Sequence, residues 1–159
     1  MGGDDQRIPV GANRAPVWPP GVVGSISHTR DLCIAMLAPS DRYDGVGVDL
    51  EEMSRVSDEV WTYVATEPER DLLGASALGR RELTTALFST KEAVFKAVHP
   101  LSDEFLEFLQ VTIAFDWSVG TFTACCGDHP KSERYAQRGE GLFEIVSEHV
   151  CAAFVIPAD

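Results

Sequence analysis

Apolar and polar positions repeat with two different periods along this chain. Val46, Val48 and Leu50 alternate with Gly47, Asp49 and Glu51, the two-residue period of a strand whose faces differ. Residues 31–38 form a short apolar run of strand length, separated from that strand by a Pro-, Ser-, Asp- and Gly-rich turn at 39–45. The middle third changes to a helical period. Ser57 before Asp58 and Glu59 predicts an N-cap, and Thr66 with Glu69 has capping-box spacing, that short helix closing at Gly74. A longer helix is expected over 80–98, stopped by Pro100, with Leu83, Leu87, Val94 and Val98 as its apolar stripe and Thr90 in the weak middle position. Strand-like runs follow at 111–115, 121–125, 142–146 and 150–156. The order β-β-α-α-β-β-β-β predicts an α+β fold, a largely antiparallel sheet with helices packed on one face. Residues 1–20, rich in Gly, Pro and Asn, read as an irregular lead-in to one domain over 21–159.

The size of 159 residues suits a single domain, and 45% apolar with 24% charged residues is the balance of a globular protein. Acidic residues outnumber basic ones 25 to 13, giving a net charge of −12, which repels phosphate backbones and argues against general nucleic-acid binding. No apolar run approaches the roughly 20 residues that span a bilayer, so no membrane partner is expected. Residues 1–6 carry neither a secretory signal nor, with Gln6, a myristoylation pattern. Cys33, Cys125, Cys126 and Cys151 show no CxxC spacing and are read as buried free thiols of a cytoplasmic protein.

Three segments carry candidate chemistry. Asp49 and Glu51 stand two apart on one strand face, roughly 7 Å from each other. Two such carboxylates repel unless a cation or basic group joins them, and Mg²⁺ prefers oxygen ligands shared with a substrate phosphate. With Glu52 beside them, a solvated acidic loop is the alternative. On the long helix, Glu92 and Lys96 lie one turn apart among Ala93, Val94, Phe95, Ala97 and Val98. An ordinary surface ion pair is worth only about 0.3–0.5 kcal/mol; a carboxylate and an ammonium on a helix apolar nearly all round point to function. In Gly24-Ser25-Ile26-Ser27-His28-Thr29, small residues and hydroxyls allow close approach to an anion, with His28 as a further donor, against the reading of a plain turn histidine.

Taken together and in order, WPPGVVGSISHT, GVGVDLE and FSTKEAVFKA resemble the motifs of the 4′-phosphopantetheinyl transferases, over roughly residues 8–115. The likeness is to the larger type typified by the surfactin and enterobactin synthetase activators, because the trimeric holo-acyl-carrier-protein synthases lack the Trp-Pro and Ser-x-Ser-His segment. The resemblance implies transfer of the phosphopantetheine arm of coenzyme A to a serine of an acyl- or peptidyl-carrier protein, with release of 3′,5′-ADP, in secondary-metabolite or siderophore biosynthesis. It implies Mg²⁺ held by Asp49, Glu51 and Glu92, with Glu92 accepting the serine proton and Lys96 neutralising the departing nucleotide. Lys91, Ser27 and His28 are then expected at phosphates, and Arg14 as a further phosphate contact.

Members of the larger type are longer pseudo-dimers of two α+β halves. The resemblance therefore implies an N-terminally shortened chain comprising the second half and part of the first, able to self-associate through the unfilled interface. Two alternatives stay open: a homologue that binds coenzyme A or a carrier without catalysis, and a different Mg²⁺-dependent pyrophosphate enzyme. Because carriers are typically acidic too, docking would need an apolar contact or a local basic patch, for which Arg80 and Arg81 are candidates.

Overall fold

The computed structural model describes residues 8–11, 15–71 and 78–159. Arg14 and the expected helix end at Gly74 lie outside them. Two antiparallel sheets organise the chain. Strands β1 (Val22–His28) and β2 (Cys33–Pro39) form a hairpin in register from Val22 opposite Pro39 to His28 opposite Cys33. The second sheet is antiparallel and five-stranded, made of β3 (Tyr43–Glu52), β4 (Thr112–Asp116), β5 (Thr121–Cys125), β6 (Glu140–Val146) and β7 (His149–Pro157), in the order β3-β7-β6-β5-β4. Helix α3 (Arg80–Ser102) lies across β3 and β7. Two single-turn helices precede it, α1 (Trp61–Val64) and α2 (Glu67–Arg70), and α4 (Pro130–Ala136) connects β5 to β6. The expected α+β class is what the chain adopts. Among the described residues, no helix is long and apolar enough to cross a membrane.

The stripe of α3 is buried as its period requires: Leu83, Leu87, Val94 and Val98 are fully inaccessible, and the Thr90 hydroxyl donates to the Ala86 carbonyl at 2.7 Å. These residues meet Ala152, Phe154 and Ile156 of β7 and Phe122 of β5 in one core. A helix can lie this close to β3 because β3 presents glycine, with no side chain, at positions 45 and 47 beneath it. A Cβ on Gly47 would come within 1.9 Å of the Ala93 carbonyl oxygen, and one on Gly45 within 2.6 Å of that of Ala97.

Several expectations need correction. Residues 24–28 lie in β1 rather than in a turn, and α4 had no strong period to announce it. Helix α3 runs through Pro100 to Ser102. The proline removes one helical hydrogen bond only near the end, where Asp103, left-handed at φ 56°, donates its N–H to the His99 carbonyl at 3.0 Å. Ser57 precedes a short 3₁₀ turn, Asp58–Val60, and makes no side-chain cap. Strand β3 is buried on both faces because β1 and β2 lie against it. Among the cysteines, all free, only Cys126 is buried; Cys33 and Cys125 point to solvent from alternating strand positions.

Candidate active site

The site is built where α3 crosses β3. Asp49, opposite Ala152 of β7, is 2% exposed and lies on the helix-facing side of its strand. Its Oδ1 accepts from the Lys96 ammonium at 2.6 Å and from the Ser27 hydroxyl at 3.0 Å. Its Oδ2 is buried and has no hydrogen-bond partner among the described residues. A buried carboxylate oxygen left without a donor is costly, and such orphans mark places where a further group belongs. Lys96 also donates to the Val48 carbonyl at 3.2 Å, so it is turned from its own helix onto β3. Lys96 thus forms a bridge to Asp49 between helix and strand rather than an isolated surface pair with Glu92.

Glu92 stands beside this bridge, half-buried. Burial pushes its carboxyl above the ordinary glutamate range, the negative charge of Asp49 pushes it further, and Lys96 partly offsets both. Glu51, two residues along β3 from Asp49, is half-buried on the same face. Among the described residues, no three metal-ligating side chains close into a ready-made cage. The Asp49 carboxylate, whose Oδ2 is the orphan, and the Glu92 carboxylate beside it are nevertheless hard-oxygen donors of the kind Mg²⁺ prefers, with Glu51 within one strand repeat.

Two hollows flank the bridge. Glu92 opens on a groove of about 500 Å³ with Tyr63, Phe105, Phe108 and Val111 in its walls. Lys96 opens on a wider cleft of about 820 Å³, with Trp18, Gly24, Gly45 and His99 among its lining. Phe95 and Phe105, packed edge to face at 5.5 Å between centroids, line both.

The sequence-predicted residues divide into those brought together and those sent elsewhere. Asp49, Glu92 and Lys96 converge. Ser27, expected at a phosphate, is buried and directed inward. Its oxygen accepts from Leu50 N–H at 3.2 Å while it donates to Asp49, and the Ser25 oxygen accepts from Val48 N–H at 3.0 Å. The Ser-x-Ser spacing thus satisfies the edge of β3 that faces away from β7, a role that period-2 geometry permits and that the sequence reading missed. His28, on the other face of β1, is exposed, with Nδ1 3.2 Å from the Thr29 carbonyl.

Lys91 is also corrected. It is fully buried, and its ammonium donates to Glu69 Oε2 at 2.6 Å, the Val64 carbonyl at 2.6 Å and the Phe108 carbonyl at 2.9 Å. Burial lowers its pKa, and Glu69 acts in the opposite direction. No donor is left over for a phosphate. Glu69, whose sequence spacing signals only a helix cap, also accepts from Ile113 N–H of β4 at 2.6 Å through its second oxygen.

An aspartate–lysine bridge next to an elevated glutamate, at a helix–strand crossing in an α+β sheet, defines a carboxylate-centred site. Comparison with known proteins gives that class its family. The profile of the 4′-phosphopantetheinyl transferase superfamily matches residues 45–154, and that of the 4′-phosphopantetheinyl transferase N-terminal domain matches residues 1–38. The chain belongs to the 4′-phosphopantetheinyl transferase superfamily.

Its relatives include the 4′-phosphopantetheinyl transferase Svp of Streptomyces mobaraensis, 38% identical over 72% of this chain and 47% of the relative. The transferase Npt of Nocardia iowensis is 35% identical over 76% and 54%, respectively. Enterobactin synthase component D of Salmonella typhi is 36% identical over 87% and 61%. The chain therefore spans roughly half to three-fifths of these relatives' lengths. Among solved structures, the holo-[acyl-carrier-protein] synthase of Thermotoga maritima superposes with a TM-score of 0.57 at 23% identity, covering 72% of this chain and 64% of that one. The Bacillus anthracis synthase, solved in complex with CoA (3′,5′-ADP), gives 0.56 at 20% identity, covering 74% and 99%. At those identities the likeness is one of fold.

Proposed function

We propose that this protein transfers the 4′-phosphopantetheine arm of coenzyme A to a serine of an acyl- or peptidyl-carrier protein, in the biosynthesis of a siderophore or other secondary metabolite. The observation that carries the reading is the Asp49–Lys96 bridge beside Glu92, inside the segment that the superfamily profile matches. In the reaction the serine Oγ forms a bond to the phosphorus bearing the pantetheine arm. The phosphorus–oxygen bond to the nucleotide breaks, and 3′,5′-ADP leaves. Glu92, whose elevated pKa makes it a better base than an ordinary glutamate, receives the serine proton. Lys96, on a side chain 27% exposed, swings its charge from Asp49 to the departing phosphate. Ser27 keeps Asp49 oriented meanwhile, and His28 is the exposed donor for a nucleotide phosphate.

Asp49, Glu92 and Glu51 are the residues that would hold Mg²⁺, which when bound would neutralise pyrophosphate charge and polarise the phosphorus under attack. The orphaned Asp49 Oδ2 supports that assignment.

The test is the intact mass of an apo carrier protein incubated with this chain, coenzyme A and Mg²⁺. A gain of one phosphopantetheine, abolished by EDTA, is the expected result. A folded chain that binds coenzyme A yet leaves the carrier unchanged is instead a non-catalytic binding homologue.

A further inference from the structure

Lys91 and Glu92 are neighbours in sequence and both border the groove, yet about 100° of helix rotation leaves Lys91 buried behind its wall and Glu92 half-exposed to it. The inward charge is the unusual one. Lys91 and Glu69 are each 1% exposed, and between them they make five hydrogen bonds. Through the Lys91 ammonium, α3 holds the Val64 carbonyl at the end of α1, the Glu69 carboxylate of α2 and the Phe108 carbonyl of the turn Phe108–Gln110. Glu69 Oε2 also accepts from Thr66 N–H at 2.7 Å, and Oε1 fastens Ile113 of β4.

The fastened segments are the ones that wall the Glu92 groove: Tyr63 comes from α1, and Leu106, Phe108 and Val111 from the stretch before β4. Helices α1 and α2 have four residues each, too few to hold a shape unaided. An apolar pair would supply cohesion at least as well as buried charges. What directional bonds add is a fixed place for each backbone segment they touch.

We propose that Lys91 and Glu69 are positioning residues, a buried brace that sets the groove wall opposite Glu92 so that whatever occupies the groove meets that carboxylate at reacting distance. The catalytic part of this inference rests on the proposed transferase reaction; the mechanical part does not. Glu69→Gln keeps the side chain's shape and one acceptor oxygen while removing the charge. The expected result is a folded protein whose Kd for coenzyme A stays within about twofold while kcat falls on the order of 100-fold, the scale a 1 Å misplacement produces. Hydrogen exchange should accelerate in residues 61–70 and 105–113 and stay slow in β3 and β7.

A folded Glu69→Gln with wild-type kcat, or with unchanged exchange at 105–113, overturns the brace. If the wild-type chain itself transfers nothing, the proposed reaction fails, and the exchange pattern alone decides the brace. Should Glu69→Gln not fold, Lys91→Met combined with Glu69→Met supplies apolar volume instead. Recovered Tm with lost kcat upholds positioning, and recovered Tm with recovered kcat overturns it.

Discussion

Asp49 has one oxygen saturated by Lys96 and Ser27 and the other unpartnered, while Glu92 lies within reach of its charge. This asymmetry sets the protonation behaviour of the site. Because the folded chain raises the Glu92 pKa, it binds that proton more tightly than the unfolded chain does. Stability must then fall as pH rises from the ordinary glutamate range through the raised value, and the whole penalty remains above it. Glu92→Gln removes the ionisable group, so in a chelator its Tm should exceed the wild-type value at about pH 8 and converge toward it in acid. Thermal melts across pH check this; a Glu92→Gln protein that melts lower at pH 8 contradicts the strained-carboxylate account. The same substitution should abolish transfer. The thiols give a second test at this scale. Burial first, then the charges of Glu133, Cys125 and Glu104, push Cys126 up to about 12. Alkylation of the native protein at neutral pH should modify exposed Cys33 and Cys125 and spare Cys126, as peptide mass mapping would show.

Between elements, the decisive contact is that of α3 on β3, and glycine makes it possible. Gly47→Ala places a methyl group against the Ala93 carbonyl and the Ala97 amide, both helix backbone that cannot move aside as a side chain could. A cost of about 3 kcal/mol is expected, which lowers Tm by roughly 6–12 °C and shifts Lys96 from Asp49. Removing the inward charge is as severe: Lys91→Ala leaves Glu69 buried and unpaired, a loss of about 3–5 kcal/mol readable by urea denaturation. These contacts also mark how far the sequence could be read. The alternation at 46–51 and the helical period at 83–98 announced β3 and α3, because each element has one face whose burial dictates its pattern. Strand β1 was hidden because its serines face the backbone edge of β3, where hydroxyls serve and apolar residues do not. Adjacent Lys91 and Glu92 looked alike as functional charges. Only the tertiary arrangement, with α1 and α2 on one side of α3 and β3 on the other, separates a brace from a reactive group.

At the scale of the whole molecule, a net charge of −12 bears on how a carrier approaches. A local cation at the site such as Lys96 can attract a phosphate, but a protein partner experiences the summed field first. If the partner is acidic, as the proposed reaction implies, encounter at low salt is opposed, and apolar groove residues such as Tyr63 and Phe105, 72% and 70% exposed, must supply the attraction. Raising ionic strength from about 0.01 M to about 0.15 M shortens the screening length from about 30 Å to about 8 Å. KM for the carrier should therefore fall across that range, with kcat unchanged at saturating coenzyme A. The opposite trend would mean that docking runs through a local basic patch, and exposed Arg80 and Arg81 at the start of α3 are the pair to reverse. Arg80→Glu with Arg81→Glu should leave KM nearly unchanged if the apolar groove docks the carrier, and raise it steeply if the arginines do.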